Sequence, residues 1–128
     1  MPCLAAYTFG SSSDVRVTTS ANNQSRSESV VSINPKNSQN MICASKKFTD
    51  PHNYRSTIST SFTFDGGQSW TESQLQLQSG WEGMTDPDLT FDHFGNAYLI
   101  VQPDTYFPDS PPSCCGCACG RYICLKVG

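Results

Sequence analysis

Charge is scarce in this sequence. Asp, Glu, Lys and Arg make up 15% of its 128 residues, 8 basic and 11 acidic, for a net charge of −3. So few Lys and Arg, scattered along the chain, form no stripe able to neutralise a run of phosphates, and there is no electrostatic case for a nucleic-acid partner. Long apolar runs are missing as well: none approaches the ~18 residues of a membrane-spanning helix, so no membrane partner is expected. Histidine is limited to His52, in Asp50-Pro51-His52, and His93, which follows Asp92. Each stands alone in a turn-like setting, where a surface residue is a simpler reading than a ligand or a base. A glycine-rich phosphate loop, a Ser-His-Asp order and a metal-binding helix are all lacking. Residues 1–9 have no basic segment and only a short apolar run, so no secretory signal is read there. Localisation stays open, and Asn23-Gln24-Ser25 is a glycosylation sequon with meaning only in a secreted chain.

What the chain has in quantity is Ser and Thr, in short alternating stretches punctuated by Gly and Pro. No segment spaces its apolar residues at the ~3.6-residue helical period, whereas residues 29–33, 41–45, 55–62, 71–77, 89–91 and 98–102 alternate as strands do. A further short strand is expected at 15–19. The class is therefore all-β. Between 55–62 and 71–77 lies Thr63-Phe64-Asp65-Gly66-Gly67-Gln68-Ser69-Trp70, and its chemistry is that of a turn. Asp65 can accept hydrogen bonds from backbone N–H groups of its own loop. Gly67 tolerates a positive φ that a side chain would resist. Thr63 and Ser69 supply hydroxyls to tie the two ends, and Trp70 folds back as an apolar plug. The five are expected to hold a hairpin and to touch no substrate.

The octapeptide fits [Ser/Thr]-x-Asp-x-Gly-x-[Ser/Thr]-Trp at every specified position. It thus resembles the Asp box of the sialidase-like (BNR-repeat) β-propellers, a glycoside hydrolase superfamily. The flanks support the resemblance, which covers residues 14–102. Glu28, Val31, Ile33 and Asn34 align with Asp86, Leu89, Phe91 and Asp92, each pair 58 residues apart, and self-similarity of this kind marks a repeat architecture. The resemblance implies a partial β-propeller of about one and a half four-stranded antiparallel blades. It would lie between an irregular segment, 1–13, and a Pro/Cys-rich tail, 103–128. A closed propeller takes about 4–8 blades of roughly 40–45 residues, and about three repeats are needed for stability. The expected partners are therefore the remaining blades of a longer protein or other copies of the chain. A compact β-sandwich that borrows the hairpin is the other architecture open to this motif.

Members of the family cleave a terminal sialic acid with three arginines on the substrate carboxylate, a Tyr–Glu nucleophile pair and an Asp acid/base. Guanidinium forks match a carboxylate in geometry, and a Tyr nucleophile sets sialidases apart among glycosidases. Of Arg16, Arg26, Arg55 and Arg121, none lies in the Arg-Ile-Pro motif that carries the first of those arginines. No catalytic position carries over. The resemblance then implies a fragment that is non-catalytic by itself, with a scaffold role or a role in recognising glycans or proteins. The alternative is part of an exo-α-sialidase whose catalytic arginines lie outside this chain; a secreted parent would place it outside the cell. Glu28, Asp86 and Asp88, each ahead of a first strand, would face the channel mouth if those strands are innermost. Converging carboxylates there could bind Ca²⁺ or act as acid and base on a sugar. The simpler reading leaves them in solvent at strand ends.

The tail differs in kind. Pro103, Pro108, Pro111 and Pro112 lead into Cys114, Cys115, Cys117, Cys119 and Cys124, five of the chain's seven cysteines. Thiolates at that density suit a soft metal, although paired C-x₂₋₄-C spacing is only loosely met. Disulfides are a second reading, and an odd number leaves one cysteine over. A third is translation of sequence that does not belong to the propeller, since nothing after Pro112 reads as a blade strand.

Overall fold

The computed structural model describes residues 15–18, 24–104 and 123–127. Seven strands follow in order: β1 (Arg26–Ile33), β2 (Met41–Asp50), β3 (Arg55–Thr63), β4 (Thr71–Gln74), β5 (Gly83–Phe91), β6 (Ala97–Asp104) and β7 (Ile123–Val127). No helix occurs among the described residues, and the protein is all-β. The strands form two antiparallel meanders, β1-β2-β3-β4 and β5-β6-β7, in which every strand pairs with its sequence neighbour. Short turns suffice for such pairings.

Alternation along each strand buries one face of each sheet against the other. Val30, Ile42, Ala44, Ile58 and Phe62 of the first sheet pack on Met84, Leu89, Phe91, Ala97, Leu99 and Val101 of the second. Ile58, Met84, Leu99 and Val101 have no solvent exposure. The central strand β3 is unusual for a core element, because Ser56, Thr57, Ser59, Thr60 and Ser61 are all buried. Their hydroxyls are matched. Ser56 Oγ donates to Met84 O at 2.8 Å, Thr57 Oγ1 to Leu75 O at 3.1 Å, and Ser59 Oγ to the Glu72 carboxylate. A buried hydroxyl with a partner costs little, whereas an unmatched one is expensive.

The 58-residue repeat is realised element by element. β1 bulges between Ser27 and Val30, and β5 between Thr85 and Asp88. Glu28 and Asp86 sit in these bulges with φ of 54° and 49°. Beyond them Val31 pairs with Cys43 and Ile33 with Met41, as Leu89 pairs with Leu99 and Phe91 with Ala97. The turns that follow open on Asn34 and Asp92. Two sheets close no ring, so the architecture in hand is a pair of facing sheets.

Four expectations need revision. The strand expected at 71–77 ends at Gln74. Residues 15–18 are not in a strand, and Thr19 lies outside the described residues. β5 starts at Gly83 rather than 89; Pro87 breaks the alternation in the sequence, yet a bulge is where a strand accommodates proline. Contrary to the reading that nothing after Pro112 is a blade strand, β7 pairs along β6 from Ala97–Val127 to Val101–Ile123. It takes the place that β3 has in the first sheet. Its alternation, Ile-Cys-Leu-Lys-Val, was obscured by the cysteines before it; Leu125 is half-buried while Cys124 and Lys126 are exposed. An uncovered edge of β6 would leave a row of backbone groups without partners.

Candidate functional site

Strand directions divide the chemistry between two ends of the molecule. The turns at 34–40, 63–70 and 92–96 lie at one end; the two bulges, the 51–54 hairpin and the 75–82 connection lie at the other.

At the first end the octapeptide joins the adjacent antiparallel strands β3 and β4. Thr63 Oγ1 donates to Asp65 Oδ1 at 2.7 Å and accepts the N–H groups of Asp65 and Gly67. Asp65 Oδ1 also accepts Ser69 N–H at 3.0 Å, and Oδ2 accepts the Ser69 hydroxyl. Trp70 Nε1 donates to Gly67 O at 3.1 Å, which pins the indole over the turn. Gly67 has φ 95°. Bonds from the Ser69 hydroxyl and N–H, then from Thr63, hold the Asp65 carboxyl far below the usual carboxylate range. Beside it Phe62, Thr63, Phe64, Asp65, Ser69 and Thr71 line an open depression of about 180 Å³, less than the ~300 Å³ at which small-molecule pockets begin. The 92–96 turn repeats the device. Asp92 accepts N–H groups of Phe94 and Asn96, the Asn96 amide and the Tyr98 hydroxyl. Its pKa falls to about 2, chiefly through Asn96.

The second end gathers the only three non-glycine residues with positive φ among those described: Glu28, Asp86 and Tyr54, the last at 52°. Such conformations cost about 1–3 kcal/mol each and persist where surrounding contacts require them. Glu28 supplies those contacts. Its Oε2 accepts both Thr85 Oγ1 and Asp86 N–H, each at 3.0 Å, so a side chain of the first sheet caps the bulge of the second. Its Oε1 lies 3.4 Å from Lys46 Nζ. Lys46 is only 3% exposed; its ammonium also meets the Tyr54 hydroxyl at 3.4 Å and the faces of Phe48 and Tyr54. Burial alone would push the Glu28 carboxyl up, but Asp86 N–H, Thr85 and the Lys46 charge together hold it below its ordinary value. Burial likewise opposes the charge on Lys46; Tyr54 and Glu28 outweigh it and raise the ammonium's pKa. Both groups are ionised at neutral pH, and the cluster is an inter-sheet clamp.

Of the expected mouth carboxylates, the structure brings Glu28 and the Asp86 backbone together. Asp86 and Asp88 are exposed, and Asp88 Oδ1 accepts the N–H of Leu89. Among the described residues no group of three His, Cys, Asp or Glu side chains is placed to hold a metal ion. Cys114, Cys115, Cys117 and Cys119 lie outside the described residues. Arg26 opens β1 and pairs with Glu72 and Ser45. Lys46, Tyr54 and Thr85 carried no sequence signal, and Lys46 lies just past the strand expected at 41–45. Compared with family models, curated proteins and solved structures, the chain matches none.

Proposed function

We propose that the chain is a two-sheet unit of a sialidase-like Asp-box β-propeller, acting as a non-catalytic scaffold with a role in glycan or protein recognition. One observation carries the reading. Equivalent strands of the two repeats, β1 and β5, face each other with equivalent bulges, and Glu28 of one is bonded into the bulge of the other. Neighbouring blades of a ring stand in that relation, and the Asp box between β3 and β4 adds a turn typical of such blades. The non-catalytic part is supported by the side chains. Asp65 is locked in a turn, Glu28 is taken up by three donors, and Arg26 is engaged by Glu72 and Ser45. Hydrolysis of a fluorogenic sialoside by the purified chain is the test: no release above buffer is expected, and turnover that survives repurification would favour an exo-sialidase.

A further inference from the structure

We propose that copies of this chain dock head to tail, the outer face of the second sheet of one copy covering the Val31–Ile33 face of the first sheet of the next. The inference rests on the two-sheet reading above and names the contact that would join such units.

The internal junction is the template. A shift of 58 residues carries Val31 onto Leu89 and Ile33 onto Phe91, and register with the second strand carries Met41 onto Ala97 and Cys43 onto Leu99. In the second sheet these positions are core: Leu89 is 7% exposed and Leu99 wholly buried, packed under the first sheet. In the first sheet the same positions face outward, with Val31 62% and Ile33 56% exposed. Two β-branched residues standing side by side in water on a strand are the surface that a preceding sheet would cover.

The chain carries the equivalent positions on its second sheet, one of them an exposed aspartate and two half-buried. The face of the first sheet that lies on the second includes Val30, Ile42 and Ala44. The same shift and register carry these three onto Asp88, Tyr98 and Ile100, on the outer face of the second sheet. The polar lock repeats too. Glu28 holds Thr85 Oγ1 and Asp86 N–H; one repeat later the equivalent carboxylate is that of Asp86, which is exposed. One repeat earlier the equivalent donors are the Ser27 hydroxyl and the Glu28 N–H. Asp86 of one copy therefore meets Ser27 and Glu28 N–H of the next. A contact between unlike faces is heterologous, and it closes into a ring when its rotation divides the circle. At two sheets per copy, a ring of about 4–8 sheets takes about two to four copies.

Sedimentation velocity under reducing conditions, over a range of concentrations, tests this directly. The unaltered chain should associate by mass action. A head variant, Val31→Asp with Ile33→Asp, and a tail variant, Asp86→Ala with Ile100→Asp, should each weaken association about tenfold or more. An equimolar mixture should restore a one-to-one pair, because each copy still offers one intact face. Asp86→Glu, which gives the carboxylate the reach of Glu28, should tighten association and does not depend on the tolerance of the other variants. A chain that is monomeric with its β-sheet circular dichroism intact overturns the proposal. So does a mixture that fails to pair, which would mean like faces meeting. A double-mutant cycle between Glu28→Gln and Thr85→Val separates the two readings: coupling without association sinks the docking alone, and absence of coupling sinks the two-sheet unit with it.

Discussion

Thr63 shows how much one hydroxyl can hold. It is 2% exposed, donates to Asp65 and accepts two backbone N–H groups, so Thr63→Val keeps the shape and removes all three bonds. A buried donor without a partner costs roughly 1–3 kcal/mol; the Asp65 and Gly67 N–H groups are half-buried, so the expected loss in a urea melt is about 1 kcal/mol. Thr63→Ser should restore most of it, which separates the hydroxyl from the methyl. Glu28 acts at the other end with more exposure, its side chain being 38% accessible, and solvent discounts its charge. Glu28→Gln is expected to destabilise by about 1 kcal/mol, since the neutral amide keeps one acceptor but gives up the Lys46 attraction. A denaturation midpoint that does not move would show the clamp to be incidental. Asp65 and Gly67 were legible from their residue types alone, because a turn with positive φ and a self-bonding carboxylate has few chemical solutions. Lys46 was not: nothing local tells a strand lysine that a carboxylate 18 positions back will fold over it.

At the scale of the element, the turns are the part that answers to acid. The Asp92 carboxyl titrates at about 2 in the folded chain against an ordinary 3.8. A folded pKa below the unfolded one means that the stabilisation is complete above the unfolded value. It is lost as pH falls from 3.8 toward 2, where the folded carboxyl itself protonates. Thermal midpoints measured across that window should fall, and Asp92→Asn, which has no charge to lose, should flatten the slope. β7 makes the complementary point about edges. Leu125 stands opposite Leu99, so Leu125→Asp should free the edge of β6. Amide exchange on β6 should then quicken while the β2–β3 ladder stays protected, and equal protection in both would mean that β7 is dispensable. Strand positions were readable wherever alternation was unbroken, as in 41–45 and 98–102. They were lost where a bulge holds proline, at 83–88, and at 123–127, which follows the cysteine cluster of 114–119. In both places tertiary pairing supplies what local pattern withholds. β4 stops at Gln74 for a related reason: Leu75 N–H still donates to Ile58 O at 3.0 Å, but Leu77 is 44% exposed and finds no core to join.

Among the described residues there is one core, shared by the two sheets, and neither sheet has a core of its own. Ile58 comes from the first, Met84, Leu99 and Val101 from the second, and all four are buried in the core that the two sheets build with Leu75 and Trp81 of their connection. Two conclusions follow for stability. The sheets should unfold together, because separating them exposes every buried apolar side chain at once. The cost of a cavity at Leu99 should also be felt in the first sheet, although Leu99 lies in the second. Leu99→Ala removes a fully buried side chain and is expected to cost about 2–5 kcal/mol, a large part of what a domain of this size holds in reserve. Trp70, on the hairpin of the first sheet, gives a separate probe once Trp81, which packs on the core, is replaced by Phe. In urea its fluorescence transition should shift to lower concentration in step with the far-ultraviolet circular dichroism. If Trp70 melts at its original midpoint while the circular dichroism changes in two stages, the sheets are independent units. The clamp from Glu28 to the bulge at Asp86 would then join two folded halves instead of completing one.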